Sequence, residues 1–207
     1  MMMNSVFSDQ LGDFSALYDD VELVSVERPS EIASPLARAA ADWMATGGKV
    51  ETQWTQAAGE PDAARIALAP IRDEVLRAAL CEEISEGVEL LSDLLNCSTV
   101  GVRAATLSGP MCPRFHTDMV HCRMLITLAG PTTEWIAHDE VDFECLADRS
   151  SQDVPVRSGG HVRTLDPGAW SLLKGGRWDH EFQGVVHRSP HDEAKRLLLS
   201  FDPLFVS

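Results

Sequence analysis

A chain of 207 residues with 44% hydrophobic side chains can bury a sizeable core, which excludes a disordered chain or one that folds only around staples. A formal net charge of −15, with 17 Lys and Arg that are scattered rather than clustered, repels phosphate backbones; nucleic acid is excluded as a general partner, leaving room only for a small local basic pocket. No apolar run approaches the ~18 residues of a membrane span, the stretch MMMNSVFSDQLGDF lacks the basic and apolar regions of a signal peptide, and five cysteines without such a signal read as reduced thiols, so a cytoplasmic protein without a membrane partner is expected.

Residues 1–20 carry no periodicity and are expected to be weakly ordered, with a short strand over Val21–Val26. A helix is expected from Ser34-Pro35, because Ser34 can cap free amides and proline suits the first helical position. Leu36, Ala40, Trp43 and Met44 follow at helical spacing, and Gly47-Gly48 ends the run. Residues 71–95 read as one or two helices with Ile84, Val88, Leu91 and Leu95 on one stripe. Glu82, Glu86, Glu89 and Asp93 lie away from that stripe, as a solvated face rather than a metal site.

After Asn96 the texture changes to short strands: Val100–Leu107, Arg123–Leu128, Thr132–Ile136, His161–Leu165, Ala169–Leu173, Phe182–His187 and Arg196–Phe201. Residues 147–160 form a polar loop, and Asp166-Pro167-Gly168 and Lys174-Gly175-Gly176 read as turns. Helices first and strands later predict an α+β chain. A mainly helical N-terminal lobe, 1–98, would pack on a C-terminal jelly roll of cupin-like type, 99–207, in one compact unit.

The segment Cys112-Pro113-Arg114-Phe115-His116-Thr117-Asp118 carries the sharpest chemical signal. In a strand, side chains two apart share a face, so His116 and Asp118 can offer an imidazole nitrogen and a carboxylate oxygen to one ion. A second histidine completes a facial triad with open positions, the scaffold of non-haem Fe(II) oxygenases. His187 ends the run Val185-Val186 and is the preferred third ligand; His180 and His191 compete for the role. Arg196, Leu198 and Ser200 share one face of the last strand, where a buried arginine needs an anionic partner. Glu193 is the rival internal partner. Arg123 and Arg114 are candidates to face a ligand, with surface salt bridges as the default, and Trp135, Trp170 and Trp178 are core or pocket wall, Trp135 being placed with Arg196 and Arg123 as lining a co-substrate pocket.

The order His-x-Asp, about seventy residues, His, then Arg on the next strand resembles the Fe(II)/2-oxoglutarate-dependent dioxygenases over roughly residues 99–202. So does the turn and strand Asp166-Pro167-Gly168-Ala169-Trp170-Ser171-Leu172-Leu173. The resemblance implies a double-stranded β-helix, iron held by His116, Asp118 and His187, and Arg196 gripping the far carboxylate of 2-oxoglutarate. Cys112-Pro113-Arg114-Phe115-His116, Gly130-Pro131-Thr132-Thr133-Glu134-Trp135 and His187-Arg188-Ser189-Pro190 are similar to an uncharacterised bacterial family of unknown function, sometimes linked with zinc-homeostasis genes.

Two further functions compete with an oxygenase acting on a small molecule or a protein side chain. A non-catalytic zinc protein would close its coordination with thiolates, for which Cys112 and Cys122, together with His121 and His116, are the candidates. A cupin-type enzyme such as an isomerase would use the metal as a Lewis acid.

Overall fold

The computed structural model describes residues 4–178 and 182–205. In chain order the elements are β1 (Asn4–Ser8), β2 (Val21–Val26), α1 (Ser30–Ala45), β3 (Glu51–Gln56), α2 (Asp62–Ala67), α3 (Glu74–Leu95), β4 (Thr99–Ser108), β5 (Cys122–Ala129), β6 (Glu134–Ile136), α4 (Phe143–Ala147), β7 (Arg163–Thr164), β8 (Trp170–Lys174), β9 (Val186–Arg188) and β10 (Lys195–Leu204). Seven strands form a large sheet in the order β1-β2-β8-β5-β10-β4-β3, and three form a small one, β7-β6-β9. Neighbouring strands are antiparallel apart from the parallel pair β1–β2.

Alternation along the strands sorts the large sheet into two faces. Cys122, Met124, Ile126 and Leu128 of β5 and Leu197, Leu199 and Phe201 of β10 join a core completed by α1 and α3. On the opposite face Leu23, Leu107, Leu125, Leu173 and Leu198 meet Trp135 and Leu165 from the small-sheet side. The result is a helical layer, a large sheet and a small sheet, with the two sheets facing each other in a jelly-roll arrangement.

The expected helical lobe over 1–98 is not a unit of its own. β1, β2 and β3 enter the same sheet as the strands of 99–207, and α1 and α3 cover that sheet's outer face. β2 is buried at all six positions, so it needs partners on both edges and faces, which β1 and β8 supply. Residues 4–8 are therefore a strand rather than a loose terminus. β3, with the polar sequence ETQWTQ, is an edge strand whose composition hides it from a hydrophobicity reading.

α3 is one helix. Asp73 caps it by accepting from the Leu76 amide at 2.9 Å, and Asn96 ends it in the left-handed conformation, φ 50°. Leu76, Leu80, Ile84, Val88, Leu91 and Leu95 bury one stripe, each worth about 1.5–3 kcal/mol relative to exposure. α1 starts at Ser30, earlier than the Ser34 cap predicts. Pro35 lies in its sixth position, so the proline deletes one helical hydrogen bond instead of occupying a place where none forms.

Candidate metal centre and its cavity

The His-x-Asp segment is tied to the small sheet by one antiparallel bridge rather than a full strand. His116 and His187 exchange both backbone hydrogen bonds at 3.0 Å, and the Ser189 amide donates to the Cys112 carbonyl at 3.0 Å. Directly opposed residues project to the same face, so the two imidazoles meet with centroids 4.7 Å apart. Asp118 lies beyond the bridge in irregular chain. It is pinned by the turn after β8, where the Gly176 amide donates to the Asp118 carbonyl and the Gly175 amide to the His121 carbonyl, both at 2.8 Å. A Cβ on Gly175 would stand 2.1 Å from the Val120 carbonyl oxygen, so only glycine lets the two segments approach.

The three side chains converge: one potential ligand atom from each of His116, Asp118 and His187 lies within 4.8 Å of the others. Asp118 Oδ1 is 3.7 Å from His116 Nε2, and Oδ2 is 3.4 Å from His187 Nε2. Both Nδ1 atoms point at backbone carbonyls at 3.0 Å, Arg114 for His116 and Val185 for His187. A carbonyl only accepts, so each ring carries a proton on Nδ1 and turns Nε2 toward the carboxylate. Burial, reinforced by the neighbouring His187, holds the His116 pKa below its usual value. Burial alone would raise Asp118; the His187 hydrogen bond and the charges around it outweigh that and hold it at about 2. The trio thus offers two imidazole nitrogens and one carboxylate oxygen, donor types that bind a divalent ion.

A cavity of about 830 Å³ opens beside the trio, lined by His116, His187, Arg123, Ser189, Arg196 and Ser200 among others. Arg196, Leu198, Ser200 and Asp202 all reach it from β10, as alternation requires. Arg196 is 3% exposed. Its Nη2 donates to the Ser189 hydroxyl at 2.9 Å, while Nε and Nη1 are buried without a hydrogen-bond partner among the described residues. Burial pushes the Arg196 pKa down. Glu193 is exposed and is not within 4.0 Å of that guanidinium.

Arg123 and Trp135 stand differently toward the cavity. Arg123 bridges two carboxylates: Nη1 donates to Asp118 Oδ2 at 2.6 Å, Nε to Asp202 Oδ1 at 2.7 Å and Nη2 to Asp202 Oδ2 at 2.8 Å. It lines the cavity with three of its five N–H groups committed to these two carboxylates. Trp135 is 2% exposed and packs in the core between the sheets, against Phe7 and beneath the Arg163 guanidinium. Its strand pairs with His187, so its place is to support the distal histidine's strand.

His191 faces the Pro113 carbonyl at 3.0 Å, away from the trio; His180 lies outside the described residues. The thiol-containing alternative finds no site, since among the described residues the ligand cluster contains no cysteine. Cys122 points into the helix-side core, and burial pushes its thiol up to about 12. Cys112 lines the cavity without joining the cluster, and His121 packs edge-on against Phe205. Arg114 donates to the carbonyls of Asp148 and Arg149. Two residues of the site escape a reading of the sequence, Ser189 and Asp202. Asp202 was within reach, because the alternation 196, 198, 200 continues to 202.

The chain belongs to the DUF1826 family of proteins of unknown function, whose profile matches residues 8–202. Its fold is similar to that of solved dioxygenases. The dioxygenase for auxin oxidation 1 from Arabidopsis thaliana, solved as a complex with 2-oxoglutarate, gives a TM-score of 0.57 at 10% identity, covering 100% of this chain and 94% of that one. The dioxygenase for auxin oxidation in rice gives 0.55 at 12% identity, covering 98% and 83%. JOX2, solved in complex with 2OG, Fe and JA, gives 0.51 at 10% identity, covering 98% and 77%. At such identities the likeness is one of fold, and function is argued from the site. No curated protein matches the chain. No helix of the described residues is long and apolar enough to cross a membrane.

Proposed function

We propose that this protein is a mononuclear non-haem Fe(II)/2-oxoglutarate-dependent oxygenase acting on a small molecule or a protein side chain. The observation that carries the reading is Arg196, a buried guanidinium with two unpartnered nitrogens on the wall of the cavity that His116 and His187 also line. A buried cation without an anion is costly. A dicarboxylate spanning the metal and Arg196 removes that cost, because its far carboxylate matches the guanidinium fork. The donor set fits the metal as well: two imidazole nitrogens and one carboxylate oxygen are the facial triad that leaves positions open for co-substrate.

His116, Asp118 and His187 would hold the iron, and Arg196 with Ser189 the far end of 2-oxoglutarate. Bound there, the two supply the oxidising chemistry that places oxygen from O₂ into a C–H bond. The chain's part is to orient both groups and to present the substrate in the remaining cavity, whose size lies in the range of small-molecule pockets.

Anaerobic reconstitution tests the reading. The protein should take up stoichiometric Fe(II), and 2-oxoglutarate should then produce a weak visible charge-transfer absorption. His116→Ala and Asp118→Ala should each lose the metal with the circular dichroism unchanged. Iron uptake that survives both substitutions, or no absorption change at millimolar 2-oxoglutarate, contradicts it.

A further inference from the structure

We propose that Arg123 is a positioning residue, braced by Asp202, that holds the Asp118 carboxylate by Oδ2 and so presents Oδ1 to the metal. The inference rests on the metal site proposed above and concerns how that site is kept in shape.

Three observations converge. First, the Asp118 side chain needs holding: the Gly176 amide pins its carbonyl, but it lies in irregular chain past the single His116–His187 bridge, where the backbone alone fixes a side chain loosely. Second, Arg123 and Asp202 sit on a rigid frame. β5 and β10 are adjacent strands inside the large sheet, and Arg123 and Asp202 lie one step beyond the registered pair Met124–Phe201. Third, the geometry divides the guanidinium between two tasks. Its Nε and Nη2 edge forms a fork with both oxygens of Asp202, and Nη1 reaches the single oxygen Asp118 Oδ2 at 2.6 Å. A carboxylate engaged at one oxygen is left to bind a metal through the other. One-atom coordination keeps open the positions that a bidentate co-substrate needs.

Charge and position make opposite predictions here, which separates them. The Arg123 cation repels a dication nearby, and taken alone its removal strengthens metal binding. Its Nη1 holds Asp118, with the fork on Asp202 fixing its direction, and losing that arrangement weakens metal binding. Asp202 offsets the positive charge, so the arrangement is suited to holding rather than to repelling.

The test is Co(II) titration of the protein, followed by d–d absorption and calorimetry, on wild type, Arg123→Lys, Arg123→Gln and Asp202→Asn. Lysine keeps the charge and loses the fork. Arg123→Lys and Arg123→Gln should both weaken Co(II) about 10- to 100-fold, the usual cost of removing an outer partner of a metal ligand. Asp202→Asn, which leaves Arg123 on Asp118 but unbraced, should weaken it by about 3- to 10-fold, below that range. The Co(II) absorption of all three should shift with the altered carboxylate. Thermal melts check folding, and where Arg123→Gln fails to fold, Arg123→Lys and Asp202→Asn decide. Tighter binding by Arg123→Gln with wild-type binding by Arg123→Lys, or all three within twofold of wild type, overturns the inference alone. A wild-type protein that takes up no Co(II) overturns it together with the proposed function.

Discussion

The Ser189 hydroxyl stands between two segments of the site: it accepts from Arg196 Nη2 at 2.9 Å and from the Cys112 amide at 3.2 Å. It orients the guanidinium without neutralising it, leaving Nε and Nη1 for a ligand. Ser189→Ala should therefore weaken 2-oxoglutarate binding to the Fe(II) protein about fivefold, the equivalent of about 1 kcal/mol for one lost hydrogen bond. Metal affinity should not change. Calorimetric titration decides, and an unaltered 2-oxoglutarate affinity contradicts this role for the hydroxyl.

The distal ligand is separable by substitution. His187→Ala should abolish stoichiometric Fe(II) binding, because the trio loses one of its three donors. His191→Ala, whose ring faces the Pro113 carbonyl, should bind iron within twofold of wild type. Metal analysis after anaerobic gel filtration reads the difference. Equal losses in both would place the third ligand elsewhere, and His180→Ala in the same series would then show whether it is that ligand.

The cysteines make a contrasting pair. Cys112→Ser should leave metal affinity nearly unchanged, since its sulfur is not among the clustered ligand atoms. Cys122→Ser should also spare the metal but lower stability by about 1–3 kcal/mol, because it places a hydroxyl in the apolar core beneath α3. Denaturant unfolding measures the second effect. A large loss of metal in either variant would favour a thiolate-bound zinc centre.

Glu22, 1% exposed on β2, gives a pH signature away from the metal. Burial raises its pKa from 4.5 to about 7, against the hydrogen bonds from the His138 amide and Ser5. A carboxyl whose folded value lies above its unfolded one binds more protons when folded. Stability then falls as pH rises from about 4.5 and levels off above about 7. Glu22→Gln should stabilise the protein at pH 8 by about 1–3 kcal/mol and change little at pH 4. Thermal melts at the two pH values test this, and an equal effect at both would show that Glu22 does not titrate as its burial demands.

The placement of the candidate site's residues was partly legible in the sequence because it follows short-range rules. His116 and Asp118 are two residues apart, and Arg196, Leu198 and Ser200 alternate along one strand, so periodicity alone predicted that the latter share a face. The pairing of Arg123 with Asp202 was not legible because the two are 79 residues apart, and no local pattern announces a pairing between two strands brought together by the sheet. Trp135 was left between core and pocket wall for a related reason: an aromatic residue near a site can line it or support it, and only the packing of one sheet on the other decides. The edge strand β3 and the terminal β1 were invisible to hydrophobic periodicity, since one is polar and the other short. Their absence made the first 98 residues look like a helical lobe.

The most direct test of the account is the affinity of the anaerobic Fe(II) protein for 2-oxoglutarate in wild type, Arg196→Ala and Arg196→Lys at matched iron content. A bidentate charged contact is worth about 1.5–3 kcal/mol, so Arg196→Ala should bind roughly 10- to 150-fold more weakly. Arg196→Lys should recover only part of that loss, because lysine lacks the planar fork, and both variants should keep their iron. Wild-type affinity in Arg196→Ala, or no binding by the wild-type protein at millimolar 2-oxoglutarate, would contradict the assignment of this cavity to an oxygenase.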